Sequence, residues 1–255
     1  MTLPRFYCPG ELYTGQIVEL PVSIANHAIR ALRLGQGDEM TLFNGKGGEF
    51  RSVIARIAKS GATAVIGQHL AIERESRLAI ALAQAICASE KMDWIVQKAV
   101  EMGVGSIQPL NTKLSVVRLS GVREERRVSH LQKVVISACE QSGRNRVPQV
   151  LPLASLNGWL GKQIIRCRNL NADGPSDLCF LLSPDARKGL RDFSGTSGVA
   201  AATLLVGPEG GFAPDEEEAA LVAGFVPLRL GERTLRTESA ALAAVAAMQA
   251  LWGDY

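Results

Sequence analysis

The stretch Leu204-Leu205-Val206-Gly207-Pro208-Glu209-Gly210-Gly211-Phe212 decides how this chain of 255 residues is read. An apolar run of the kind found in strands buried on both faces passes straight into a loop rich in glycine. In open parallel sheets ligands bind at such places, beyond the carboxyl ends of the strands, against bare backbone. A single glycine loop is more often only a tight turn, so its neighbours must decide. Neither a phosphate cradle, G-x-x-x-x-G-K-[ST], nor a dinucleotide fingerprint, G-x-G-x-x-G, is present. The next helix opens Pro214-Asp215-Glu216-Glu217-Glu218, and acids at its positive end repel phosphate. A nucleoside without phosphate, or a positively charged ligand, fits better.

Downstream, Leu228-Arg229-Leu230-Gly231-Glu232-Arg233-Thr234-Leu235-Arg236-Thr237-Glu238-Ser239-Ala240 repeats the transition from strand to polar loop. Thr237 is placed to cap a helix whose alanines, from Ala240 to Ala247, permit close backbone approach. With one helix between them, the two loops share a sheet edge and together outline a pocket.

Upstream, a continuous apolar run over 78–85 reads as a buried strand. A helix follows from about Glu90, with Ser89 to cap it, a stripe of Met92, Ile95, Val96, Ala99 and Val100, and Gly103 to end it. A strand over 106–110 and a helix over 123–141 come next, then strands over 177–182, 201–206 and 226–230. This alternation predicts an α/β domain with a mostly parallel sheet. Before Glu73 the pattern changes to short strands over 17–20, 39–43, 49–57 and 62–67, punctuated by Asn44-Gly45 and Ser60-Gly61, with one short helix near Ile24. The polar segment Glu73–Arg77 is a linker, giving a small β-barrel-like domain over 1–72 and a larger one over 73–255.

Composition bounds the function. The chain is 47% hydrophobic and 21% charged with a net charge of +3, the make-up of a packed globular protein. Cys8, Cys87, Cys139, Cys167 and Cys179 are widely spaced and the three histidines stand singly, which predicts reduced thiols and no metal site. No apolar leader or membrane-length span is expected, so the reading is a cytoplasmic protein with no membrane partner.

The strings L-V-G-P-E-G-G-F and L-G-x-R-x-L-R-T-E-[TS]-A resemble the 16S rRNA uracil-N3 methyltransferase family of the SPOUT superfamily. So do Pro4-Arg5-Phe6, Glu90-Lys91-Met92, the helix end Gln97 to Val104, and Ala138 to Arg146. The likeness covers nearly the whole chain, with one departure: Leu114 stands where the family usually has arginine, and Lys113 is the nearest candidate for that phosphate contact.

The resemblance implies a PUA-like β-barrel for RNA, then a trefoil-knotted domain that binds S-adenosylmethionine as methyl donor, in a homodimer acting on 16S rRNA or the small ribosomal subunit. The donor would lie among Ser183, Pro184, Val206, Gly207, Glu209, Gly210, Gly211, Leu230, Gly231 and Leu235. Arg5, Arg33, Arg144, Asn145 and Arg146 would contact RNA. Taking a proton from the uracil imide leaves negative charge on the ring, and Arg236, with Arg233 second, is placed to stabilise it. Glu238 either accepts the proton or orients Arg236. Two alternatives stay open: a SPOUT enzyme acting on another RNA such as tRNA, and a non-catalytic RNA-binding homologue.

Overall fold

The computed structural model describes residues 3–59, 61–167 and 176–255. They form two compact units, Met1–Glu75 with Ile136–Val147, and Ser76–Val135 with Pro148–Tyr255. The first unit therefore runs past residue 72 and takes in 136–147, a segment the sequence alone assigns to the larger domain.

In the first unit the strands are β1 (Arg5–Tyr7), β2 (Ile17–Glu19), β3 (Glu39–Phe43), β4 (Glu49–Ala58) and β5 (Gly61–Leu70). Between β2 and β3 lies α1 (Val22–Ala25), which continues as a π-helical turn, Asn26–Ala31. The sheet order is β1-β3-β4-β5-β2, with β1 parallel to β3 and the other pairs antiparallel. Alternation buries Ser52 and Ile54 on β4 and Ala62, Ala64 and Ile66 on β5, while Val53 and Val65 face out. Met40, Leu42, Ile54 and Ile66 pack with Phe6, Ile24 and Ala28, and each large side chain so buried contributes about 1.5–3 kcal/mol. β1 has no counterpart in the sequence reading, because three residues are too few to show a period. Ser60, half of one expected turn, lies outside the described residues.

The second unit alternates as expected: β6 (Ala79–Ala85), α2 (Ser89–Glu101), β7 (Val104–Asn111), α3 (Val122–Ser142), short β8 (Gln149–Val150) and β9 (Ala154–Ser155), then α4 (Leu156–Cys167). β10 (Ser176–Leu182), β11 (Val199–Val206), α5 (Pro214–Val222), β12 (Val226–Leu228) and α6 (Thr237–Trp252) complete it. The last turns of α3 belong to the first unit. The expected stripe of α2 is buried in full, and Gly103, at φ 88°, ends the helix in the left-handed region.

The sheet order is β12-β10-β11-β6-β7-β8, with β9 also on β7 and every pair parallel. Because the strands run one way, the carboxyl ends of β12, β10, β11 and β6 lie side by side at one edge. The small residues of α6 serve first inside the unit, where Ala241, Ala244 and Val245 are buried and the helix packs on α2 and β11.

Candidate functional site

Three of those strand ends open into one cavity of about 550 Å³. Ser183 and Pro184 line it after β10. Val206, Gly207, Glu209, Gly210 and Gly211 line it after β11, and Leu230, Gly231, Arg233, Leu235 and Arg236 after β12. The structure thus gathers every residue expected around a donor, with both candidate arginines. Glu238 stands just behind, on the first turn of α6.

The glycine loop is tight for identifiable reasons. A Cβ on Gly207 would meet the Gly211 backbone and the Phe212 ring at 3.2 Å, closer than side chains normally pack. Gly211 turns back at φ 71°, its N–H donating to the Pro208 carbonyl at 3.0 Å. The Gly207 carbonyl accepts from Thr237 Oγ1 at 2.6 Å and from Gln84 Nε2 at 3.3 Å. Thr237 therefore does not cap α6: the N-cap is Arg236, without a side-chain bond, and the threonine hydroxyl joins the two loops instead. Gln84, a fully buried amide on β6, anchors this link, and it is a residue the sequence reading missed. Its signal was present, as one polar residue inside an otherwise apolar strand.

Glu209 does a related job. Its Oε1 accepts the Ala88 N–H at 3.2 Å and pairs with Lys91 Nζ at 3.1 Å. Ala88, not Ser89, is the N-cap of α2 and has no side chain to cap with, so the helix borrows a carboxylate from the glycine loop. Burial pushes the Glu209 carboxyl up, but its own amide, the Ala88 amide and Lys91 outweigh this and hold it below the ordinary carboxylate range. Lys91 also lies 3.9 Å from Glu238 Oε2 and lines the cavity, a second residue missed from sequence.

The acids opening α5 are partly committed to structure. Buried Glu216 accepts the Ala213 and Lys113 backbone N–H groups, and Asp215 pairs with the Lys113 ammonium. That pairing takes up the charge expected to reach phosphate. Leu114, at the departed position, lies over Gly210.

The residues expected at RNA are placed unevenly. Arg5, with its side chain 10% exposed, donates to Glu49 and to Asn145 Oδ1 and sits over the Phe43 ring. Arg144, 4% exposed, pairs with Glu75, and Asn145 is wholly buried, donating to Glu49 and to the Ile72 carbonyl. These three are bonded inside the first unit. Arg146 pairs with Glu73 but is 58% exposed. Arg33 is exposed at φ 57°, the only non-glycine residue with positive φ among those described.

Cys8, Cys87 and Cys139 are free and buried. Cys179 is disulfide-bonded, against the expectation of reduced thiols throughout, and the side chain of Cys167 lies outside the described residues. Among the described residues no cluster of His, Cys, Asp or Glu could hold a metal ion, and no helix is long and apolar enough to cross a membrane.

Residues 74–249 match the family model of an RNA methyltransferase domain, and residues 20–67 that of an RNA methyltransferase PUA domain. Ribosomal RNA small subunit methyltransferase E of Buchnera aphidicola subsp. Schizaphis graminum is 31% identical over 99% of this chain and 98% of its own. The crystal structure of the Neisseria gonorrhoeae protein of that name, bound to S-adenosyl methionine, is 39% identical over 99% of both chains, with a TM-score of 0.86. A Legionella pneumophila structure with the cofactor SAM bound is 36% identical over the full length of both chains, with a TM-score of 0.89.

Proposed function

The chain belongs to the RNA methyltransferase family, and on that premise we propose that it transfers a methyl group from S-adenosylmethionine to N3 of a uridine in small-subunit ribosomal RNA. The observation that carries this reading is the joining of a glycine loop closed to any Cβ at Gly207 with a second loop bearing two exposed arginines, in one cavity.

The residues present suit the donor. Backbone at Gly207, Gly211 and Gly231 can lie against an adenosine without a side chain intervening, and the acids opening α5 favour a cation over a phosphate. The donor supplies a methyl group on a positively charged sulfur. Ser183 and Pro184 form the third wall.

Arg236 stabilises the negative charge that grows on the uracil ring as its imide proton leaves, with Arg233 beside it. Glu238 forms no ion pair with Arg236 and faces Lys91, which favours proton acceptance over orientation of the arginine. A uridine reached this way must be single-stranded or flipped out of its stack. On the first unit, exposed Arg33 and Arg146 are the phosphate contacts; Arg5, Arg144 and Asn145 hold that unit together. We further read the chain as a homodimer working in the cytoplasm, using the outer stripe of α6, where Ala243, Ala250 and Leu251 are exposed.

The test is to incubate the protein with S-adenosylmethionine and small ribosomal subunits, then map methylated nucleosides by mass. The expected product is N3-methyluridine at one position of the small-subunit rRNA. A methyl group found only on tRNA, or on another atom, overturns the assignment.

A further inference from the structure

We infer that Lys91 is a positioning residue for methyl transfer, steering Glu238 by charge while leaving the buried Glu238 Oε2 open to receive the uracil imide proton. This rests on the uridine-methylating function proposed above.

Lys91 is the third residue of α2, near the positive end of a helix dipole, where a cation is disfavoured. Its ammonium compensates by turning to two carboxylates, 3.1 Å from Glu209 Oε1 and 3.9 Å from Glu238 Oε2. The shorter contact is a hydrogen bond. The longer is not, because hydrogen bonding has faded at that separation, whereas the attraction between opposite charges persists.

Glu238 Oε2 is shut away from solvent and has no hydrogen-bond partner among the described residues. Leaving a buried acceptor unsatisfied costs stability, so the arrangement calls for a compensating role. Glu238 lies two residues beyond Arg236, on the loop that lines the cavity. One carboxylate thus anchors the lysine, and the lysine holds the other carboxylate without occupying its lone pairs.

The remaining groups around this cluster do not compete for the proton. Burial above all, then the charges of Glu209 and Glu238, push the Cys87 thiol up to about 12, so it stays protonated. Arg127, on the far side of Cys87, pairs with Asp93. Arg233 and Arg236 are exposed on their own loop.

In the step itself the imide N–H bond breaks, its proton passes to Glu238 Oε2, and its electron pair forms the new bond from nitrogen to methyl carbon. The old bond from methyl carbon to sulfur breaks, and its pair stays on sulfur.

A double-mutant cycle tests this, with Lys91→Met, Glu238→Gln and the double variant compared by single-turnover tritium transfer to RNA at saturating donor and substrate. Lys91→Met should slow transfer by about tenfold to a hundredfold, a fraction of what proton transfer to a placed base contributes. Donor affinity by calorimetry and thermal melting should stay close to wild type, and Lys91→Arg should recover most of the rate. The double variant should be no slower than Glu238→Gln alone. Independent losses in the double variant, or weakened donor binding with turnover intact, would overturn the inference and leave Lys91 as a tie for Glu209. Should Lys91→Met not fold, the cycle is run with Lys91→Gln. Because the cycle reads any methyl group placed on RNA, mapping its position separately tests the proposed function.

Discussion

Two sets of arginines stand out in this sequence as candidates for function, and the fold treats them in opposite ways. In the first unit Arg5 and Arg144 are buried and bonded to Glu49, Asn145 and Glu75. On the loop after β12, Arg233 and Arg236 are exposed, line the cavity, and have no ion-pair partner among the described residues. A charge withdrawn from water must be matched by partners, so a buried arginine is consumed by the fold. An exposed one keeps its charge for a ligand. Burial and partnership, rather than residue type, separate structural cations from functional ones here.

The carboxylate at the centre of the buried cluster bears this out. Burial pushes Glu49 up, but hydrogen bonds from Arg5 and Asn145, the Arg5 charge and a bond from Arg74 outweigh it, holding the group below the ordinary carboxylate range.

The comparison breaks most readily at Arg144. Arg144→Ala should destabilise the protein by about 3–5 kcal/mol, the usual cost of leaving a buried partner uncompensated. A urea melt that moves by less than about 1 kcal/mol would put Arg144 with the surface pairs.

Next in size is Arg236→Ala, expected to slow single-turnover methyl transfer by about a hundredfold to a thousandfold. Donor affinity and melting should be unchanged, since the charge it serves develops fully only near the transition state. Near-normal turnover would end this role for Arg236 and make Arg233→Ala the variant to measure.

A smaller effect sharpens the buried side. Glu49 has a folded-state value below its ordinary 4.5, so the stability it contributes is complete above that value and is lost as pH falls through the lowered one. Wild type should therefore lose stability on acidification more steeply than Glu49→Gln, measured by denaturant melts between about pH 6 and pH 3. Parallel curves would show that the cluster does not couple to acid unfolding.

The smallest change is expected of Arg33→Gly. Glycine relieves a left-handed conformation costing at most about 1–2 kcal/mol, so melting should hold or rise. Binding to rRNA should weaken, and its dependence on salt should become shallower as one phosphate contact is lost. An unchanged salt slope would remove Arg33 from the RNA surface.

Much of the second unit was legible because its signals are local. The α2 stripe from Met92 to Val100, the stop at Gly103 and the run into Gly207 each declare themselves within a few residues. The donor loops were legible for the same reason. The cap assignments at Ser89 and Thr237 failed because a hydroxyl near a helix start has more than one available partner. Thr237 finds the Gly207 carbonyl, and Glu209 supplies what Ala88 lacks.

The chain by itself determined the alternation of strand and helix, the two glycine-bearing loops and the residues that form them. Those follow from side-chain periodicity and backbone freedom, which act over one or two turns of chain. Only the tertiary structure decided that β11 lies between β10 and β6, that 136–147 joins the first unit, and that Lys91 meets Glu209 and Glu238. Those outcomes depend on which distant surfaces bury one another and which buried charges find partners, and neither is written in any single segment.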